Sequence, residues 1–236
     1  MNISDADLQL FHRQLQDEGY LYINGLQPGF DHLSFAQEFG KLLPQYDGRL
    51  VWSIKADPQF DDKYHSLNTK KLSPHTECYE YQSLPPKYLA LWCNRAPSDA
   101  GGMTTLYDGL AFIASLPADE REALKTTAFE FNSSSGIQAS ALGKTAINRI
   151  LDSHNDSKPI LRFSYNCINW NGNKKCHEIA TRLVEAFEDR ATAIRWEENA
   201  FLIWDNHRML HSRTAFEDRA RELTRVWLSE RQTATV

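Results

Sequence analysis

The spacing of apolar residues changes near residue 50. Before it, apolar positions recur at helical spacing from Ser4 to Gly19 and again in HLSFAQEFG, with the strand-like YLYING between them. After it, helical spacing returns only in 108–125, broken at Pro117, and in 177–189. The rest consists of short β-branched and aromatic segments: LVWSI, KYLALWC, TTLY, TAFEF, ILRFSY, TAIRW, AFLIW and LTRVWL. Many strands and few helices predict a mainly β sandwich or barrel with flanking helices.

Composition is that of one ordinary domain. The 236 residues are 42% hydrophobic and 24% charged, and we expect a single domain over 1–236, with 1–49 packing on a β core formed by 50–230. The net charge is −5 and basic residues are scattered, so neither nucleic acid nor membrane is expected as a partner. The N-terminus lacks the apolar core of a secretion signal, which predicts a cytoplasmic protein. The four cysteines do not have metal-site spacing and are expected to be reduced thiols.

The segment SPHTECYEY places an imidazole, His75, two positions before a carboxylate, Glu77. In an extended chain these side chains point the same way, so both can reach one metal ion. A His-x-Glu pair alone occurs by chance in many proteins. A third ligand could come from His207 or His211, which follow the apolar strand AFLIWDN at a point where the chain turns. Two imidazoles and one carboxylate form the facial triad that suits non-haem Fe(II).

A second signal is a basic residue among apolar ones. In RARELTRVWL, Arg225 lies within a strand-like segment, where an unpaired charge would be costly and calls for an anion. A guanidinium binds a carboxylate such as that of 2-oxoglutarate through two hydrogen bonds. Arg221 lies four positions earlier and could either join the site or face solvent.

These elements together resemble the taurine dioxygenase (TauD/TfdA) and clavaminate synthase-like group of Fe(II)/2-oxoglutarate-dependent oxygenases. The resemblance extends over about residues 73–229 and rests on His-x-acid, the turn Gly101-Gly102-Met103-Thr104, the segment IWDNHRMLHSR and the later RELTRVWL. It implies a double-stranded β-helix (jelly-roll, cupin-like) core. It also implies an enzyme that uses Fe(II), 2-oxoglutarate and O2 and releases succinate and CO2 while oxidising a small substrate, such as an amino acid or a natural-product intermediate.

Carried over residue by residue, the resemblance implies that His75, Glu77 and His211 bind iron; His211 fits the pattern better than His207. Thr104 matches the threonine that binds the distal carboxylate of 2-oxoglutarate. Arg225, fourteen positions after His211, matches the co-substrate arginine of the clavaminate-synthase branch. In the taurine-dioxygenase branch two arginines lie four apart, so Arg221 and Arg225 could instead divide co-substrate and substrate binding. Glu77 in place of a small residue argues against a halogenase.

The substrate side of the site is predicted from position. Tyr79 and Tyr81 continue the alternation of His75 and Glu77, and Tyr79 is the stronger candidate for substrate contact. Trp204, and with it Asn206, precedes the distal histidine and could orient it or contact substrate. The segments 53–72 and 132–158 are long enough to act as lids. The alternative function is a non-catalytic or zinc-binding protein on the same fold.

Overall fold

The computed structural model describes residues 3–63, 66–139, 142–153 and 158–231. Within them the chain forms six helices: α1 Asp5–Glu18, α2 His32–Gln37, α3 Gly109–Ser115, α4 Ala118–Thr126, α5 Ser135–Ala139 and α6 Lys174–Arg190. The strands are β1 Tyr20–Ile23, β2 Gly40–Leu43, β3 Val51–Lys55, β4 Tyr88–Arg95, β5 Thr104–Asp108, β6 Ala128–Asn132, β7 Thr145–Arg149, β8 Leu151–Ser153, β9 Pro159–Leu161, β10 Ile168–Asn169, β11 Thr192–Ile194, β12 Phe201–Asp205, β13 Met209–Arg213 and β14 Glu222–Glu230.

The first helix ends where the sequence predicts. Ser4 and Asp7 form a reciprocal capping box at its start, which satisfies backbone N–H groups that have no partner inside the helix. Gly19 closes the helix with a left-handed φ of 83°, a conformation that glycine adopts without steric cost. The predicted break at Pro117 is also confirmed, because Pro117 stands between α3 and α4.

Two antiparallel sheets face each other across the core. The larger sheet has the order β1-β12-β4-β14. On its other edge, β14 pairs with two strands: the first half of β14 pairs with β3 and the second half pairs with β2. The smaller has the order β11-β5-β13. A cluster that includes Leu91, Leu106, Trp204 and Trp227 fills the space between the sheets. The predicted mainly β fold with flanking helices is therefore confirmed.

The outer face of the larger sheet is also covered. Helices α1 and α2 pack their apolar residues on Ala90, Ile203 and Val226, which point away from the other sheet. Strand β12 is consequently buried on both faces, and this explains its uninterrupted apolar sequence FLIW. The N-terminal strands β1 and β2 are integral members of this sheet rather than additions to it.

Helix α6 and a third sheet lie on the far side of the smaller sheet. The α6 residues Ile179, Leu183 and Phe187 are buried there, as their spacing predicts. The third sheet has the order β10-β6-β7, and β8 pairs with β9. The sequence did not distinguish β2, β7, β8, β10, β13 or α5, since short segments carry little periodicity. All four cysteines are free, and no helix in the described ranges is long and apolar enough to cross a membrane.

Candidate metal centre and co-substrate pocket

Two histidines far apart in sequence are joined through their backbones. The His75 N–H donates to the carbonyl of His211 (3.0 Å) and the His211 N–H donates to the carbonyl of His75 (2.9 Å). His75 thereby acts as a one-residue extension of the smaller sheet beside β13. Their ring centroids lie 4.2 Å apart, so both imidazoles face one point.

A turn brings the carboxylate to the same point. Glu77 follows His75 and begins the turn 77–80, and Cys78 adopts a left-handed φ of 57°. One ligand atom from each of His75, Glu77 and His211 can be chosen so that all three lie within 4.8 Å of one another. The Nε2 atom of His211 is 3.8 Å from Oε2 of Glu77. The described residues thus bring together the three side chains that the sequence singled out.

Both imidazoles are neutral at physiological pH. Burial lowers the pKa of His75 and lowers that of His211 well below its usual value, and the neighbouring His75 and Arg225 lower the His211 value further. Nδ1 of His75 donates to the Ser73 carbonyl (2.9 Å), since a carbonyl can only accept. This hydrogen bond leaves Nε2 of His75 with its lone pair free for a metal.

Asn206 and Trp204 support the site in different ways. The Asn206 side chain accepts a hydrogen bond from the Glu77 N–H (2.7 Å) and donates to the carbonyls of Glu77 (3.1 Å) and Pro86 (3.0 Å). Asn206 therefore fixes the backbone of Glu77 and not, as the sequence suggested, the side chain of His211. Trp204 does contact that histidine, with ring centroids 4.9 Å apart. His207 points elsewhere and bonds the Pro85 carbonyl through Nε2 (3.0 Å).

Arg225 is buried and already has an anionic partner. Its Nη1 atom lies 2.9 Å from Oε1 of Glu77, and its Nε atom donates to Oε1 of Gln45 (2.8 Å). The Gln45 amide in turn donates to the Arg225 carbonyl (3.0 Å). Gln45 lies 180 positions away, and no sequence signal pointed to it. The rings of Trp52 and Trp227 flank the guanidinium, at 5.6 and 5.3 Å.

Arg221 is buried without such a partner. It is 2% exposed, and among the described residues no carboxylate lies within ion-pair distance of it. Its Nε atom donates to the carbonyl of Gly102 (3.1 Å), two residues before Thr104. Burial lowers the Arg221 pKa to about 10, which leaves the guanidinium charged at neutral pH. A buried charge calls for an anion, and Arg225 already has one in Glu77, so Arg221 is the stronger candidate to bind an anionic ligand.

One cavity of about 100 Å³ joins these groups. The three candidate metal ligands, Thr104, Arg221, Arg225 and Trp204 all line it. Both predicted lid segments also contribute to it, through Ser66 and Leu72 in the first and Ser134 and Ile137 in the second. Residues 64, 65, 140, 141 and 154–157 of these segments lie outside the described residues.

The two tyrosines do not share a face. Because the chain turns at Cys78, the alternation from His75 and Glu77 ends before either tyrosine is reached. Tyr79 lines the cavity and also packs on Phe131, with ring centroids 6.2 Å apart. Tyr81 instead joins the aromatic cluster beside Trp227, and the prediction that it continues the ligand face is wrong.

The donor set fits a divalent metal ion. Two neutral imidazole nitrogens and one carboxylate oxygen, from one half-buried and two buried residues, are the ligands that non-haem Fe(II) takes with positions left open for other molecules. The sequence matches the family described as "Taurine catabolism dioxygenase TauD, TfdA family" over residues 1–227. The chain belongs to this family. It is an Fe(II)- and 2-oxoglutarate-dependent dioxygenase, and its cofactors are Fe(II), 2-oxoglutarate and O2.

Solved structures agree with the fold of this oxygenase. An asparagine oxygenase in complex with Fe(II), 2S,3S-3-hydroxyasparagine and succinate has a TM-score of 0.79 at 18% identity, covering 96% of this chain and 80% of that one. The non-haem iron oxygenase OrfP with Fe and alpha-ketoglutaric acid has a TM-score of 0.72 at 17% identity, covering 96% and 80%. PvcB from Pseudomonas aeruginosa has a TM-score of 0.69 at 20% identity, covering 97% and 82%. A comparison with curated proteins found no match.

Proposed function

We propose that His75, Glu77 and His211 hold the iron of this oxygenase and that its substrate is an amino acid. The observation that carries the metal assignment is the convergence of these three ligand atoms in a buried cavity. The amino-acid substrate is supported by the fold neighbours, whose complexes contain hydroxylated asparagine and hydroxylated arginine. We further propose that residues 1–236 form a single oxygenase domain.

The metal supplies the oxidising chemistry when 2-oxoglutarate and dioxygen are bound. The protein's own share is to position the reactants and to exclude water. Asn206 holds the Glu77 backbone at both its N–H and its carbonyl, and Arg225 lies 2.9 Å from Oε1 of its carboxylate, so the proposed ligand is held in place before any metal arrives. Trp204 covers one side of the His211 ring. Trp204 stays a candidate for substrate contact as well, because it lines the cavity.

For 2-oxoglutarate we propose that Arg221 and Thr104 bind the distal carboxylate. Arg221 is a buried cation with no carboxylate within ion-pair distance among the described residues, and its Gly102 contact holds it beside the start of β5. The Trp196 indole N–H donates to the Thr104 hydroxyl oxygen (3.2 Å). The Thr104 hydroxyl therefore keeps its own hydrogen for the carboxylate. These contacts support a division of roles between the two arginines. Arg221 binds 2-oxoglutarate, whereas Arg225 balances the charge of Glu77 and binds the substrate.

The assignment of Arg225 to 2-oxoglutarate, favoured by the sequence, stays a prediction, and paired variants separate the two possibilities. We expect Arg221→Gln to raise the KM for 2-oxoglutarate roughly ten- to a hundredfold, since a lost charge-assisted hydrogen bond costs about 1.5–3 kcal/mol. Arg225→Gln should instead raise the KM for the amino-acid substrate. The opposite order would return the co-substrate role to Arg225.

The metal assignment is tested by iron binding. Purified protein with Fe(II) and 2-oxoglutarate, kept free of oxygen, should show a visible charge-transfer band. We expect Glu77→Ala and His211→Gln to reduce the bound iron per folded protein to near zero. The matched control is His207→Gln, which alters a buried histidine that bonds the Pro85 carbonyl outside the site and should keep full iron binding. Iron retained by Glu77→Ala would refute the assignment.

A screen identifies the substrate. We expect at least one of the twenty common L-amino acids to increase succinate formation above the rate that 2-oxoglutarate and O2 give alone. An increase only with molecules other than amino acids would contradict the proposed substrate class while leaving the metal site intact.

A further inference from the structure

A second buried carboxylate lies beside the metal ligands. Glu80 is 2% exposed, ends the turn that Glu77 begins, and lines the same cavity. Its Oε1 atom accepts a hydrogen bond from the Ser133 hydroxyl (2.8 Å). Its Oε2 atom is buried and has no hydrogen-bond partner among the described residues. Such an oxygen costs free energy unless a ligand supplies the missing donor.

Donor and acceptor roles around Glu80 are fixed. The Ser133 oxygen already accepts the Lys144 N–H (2.9 Å), so its hydroxyl hydrogen is directed to Glu80. The Lys144 ammonium lies over the Tyr81 ring, 3.8 Å from its centroid, and forms no ion pair with Glu80. Neither Arg221 nor Arg225 forms one, within the residues that the structure describes. Oε2 of Glu80 therefore remains available as an acceptor.

The backbone on both sides of Glu80 is held from another sheet. The Asn148 amide donates to the carbonyls of Tyr79 (3.0 Å) and Tyr81 (3.1 Å), and Arg162 also donates to Tyr81 (2.9 Å). These hydrogen bonds fix the backbone from which the Glu80 side chain leaves, and that side chain is itself buried. Its carboxylate is thus built into the cavity in advance, as substrate-binding groups in enzymes are.

We propose that Glu80 is a specificity-determining residue that binds the amino group of the substrate through Oε2. An α-amino acid carries a carboxylate and an ammonium group, and the cavity offers one group for each: Arg225 for the carboxylate and Glu80 for the ammonium group. A charge-assisted hydrogen bond in a buried site discriminates strongly against a molecule that lacks the donor, because the carboxylate is then left unpaired. This inference rests on the proposed function, since it concerns the substrate of the same site.

The test compares ligand pairs on the unmodified protein. The holoenzyme, loaded with Fe(II) and 2-oxoglutarate without oxygen at pH 8, where the Glu80 carboxyl is ionised, is titrated by calorimetry with each of the twenty L-amino acids and with its des-amino carboxylic acid. We expect at least one amino acid to bind at least tenfold more tightly than its des-amino partner. If no pair shows this preference while the charge-transfer band is present, Glu80 does not have this role. Absence of the band itself would instead refute the proposed function.

Variants then assign the preference to one residue. Glu80→Gln keeps the size of the side chain but loses its charge, and should lower affinity for the preferred amino acid at least tenfold while changing 2-oxoglutarate affinity less than twofold. The matched control Glu178→Gln removes a carboxylate from the exposed face of α6. It should bind the preferred amino acid and 2-oxoglutarate with the same affinities as the unmodified protein. Unchanged amino-acid affinity in Glu80→Gln would overturn the proposal.

Discussion

The buried carboxylate of Glu80 should make the stability of the metal-free protein depend on pH. Burial raises the Glu80 pKa from 4.5 to about 7. Between these values the unfolded chain has lost the proton while the folded protein retains it, so the free energy of unfolding falls as pH rises. This change of the pKa from 4.5 to about 7 corresponds to about 3 kcal/mol in the free energy of unfolding. That stability is lost progressively as the pH rises from 4.5 to about 7.

Replacing Glu80 by glutamine removes this dependence, because an amide does not titrate in this range. We expect Glu80→Gln to match the unmodified protein near pH 4.5 and to be more stable by about 3 kcal/mol at pH 8. Buried histidines destabilise both proteins equally in acid, and their contribution cancels in the difference.

The measurement is urea denaturation of both proteins in chelator at half-unit steps between pH 4.5 and 8.5. Glu178→Gln controls for the loss of one negative charge at the surface and should show no such trend. A stability difference between Glu80→Gln and the unmodified protein that stays constant over this range would refute the reasoning. A difference that grows toward acid would refute it as well.

Three further outcomes are expected. Asn206→Ala breaks three buried hydrogen bonds at the turn that carries Glu77, and should lower the free energy of unfolding by about 3 kcal/mol. Asn94→Ala loses one hydrogen bond and should lower it by about 1 kcal/mol, so equal urea midpoints for the two variants would contradict this prediction. Gly102→Ala and Gly25→Ala both place alanine at positive φ, which costs about 1–2 kcal/mol of stability. Only at Gly102 would the new methyl group meet Arg221, 2.8 Å away, so only this variant should raise the KM for 2-oxoglutarate. Fe(II) at a hundred times its Kd, added without oxygen, should stabilise the protein by about 2.7 kcal/mol, and a chelator should reverse the rise in melting temperature.

Local patterns in the sequence determined much of the fold. Alternating and continuous apolar segments identified the long strands β4, β12 and β14, because these are buried over most of their length. Capping residues and Gly19 determined the ends of α1. The short strand β13 was not recognised, because its sequence MLHSR is neither continuously apolar nor alternating, although all five residues are buried. It is a strand because β5 pairs with it, which is a tertiary condition.

The three candidate metal ligands were singled out from sequence because the His-x-Glu pair, the distal histidine and their order along the chain resemble those of a known family. What brings His75 to His211 is a pair of backbone hydrogen bonds between residues 136 positions apart, and local sequence contains no trace of that pairing. Only the tertiary structure could therefore turn His207 away from the site and bring His211 into it.

The partners of the buried charges were also decided by tertiary structure. Sequence placed Arg221 and Arg225 on the same strand-like segment and gave no means to tell which was paired, because the answer depends on Gln45 and Glu77. The left-handed Cys78 likewise ended the assumed alternation, separated the two tyrosines and placed Glu80 in the cavity. Residue types determined which chemistry was available; the long-range packing of the two sheets determined which groups remain unpaired and free to bind a ligand.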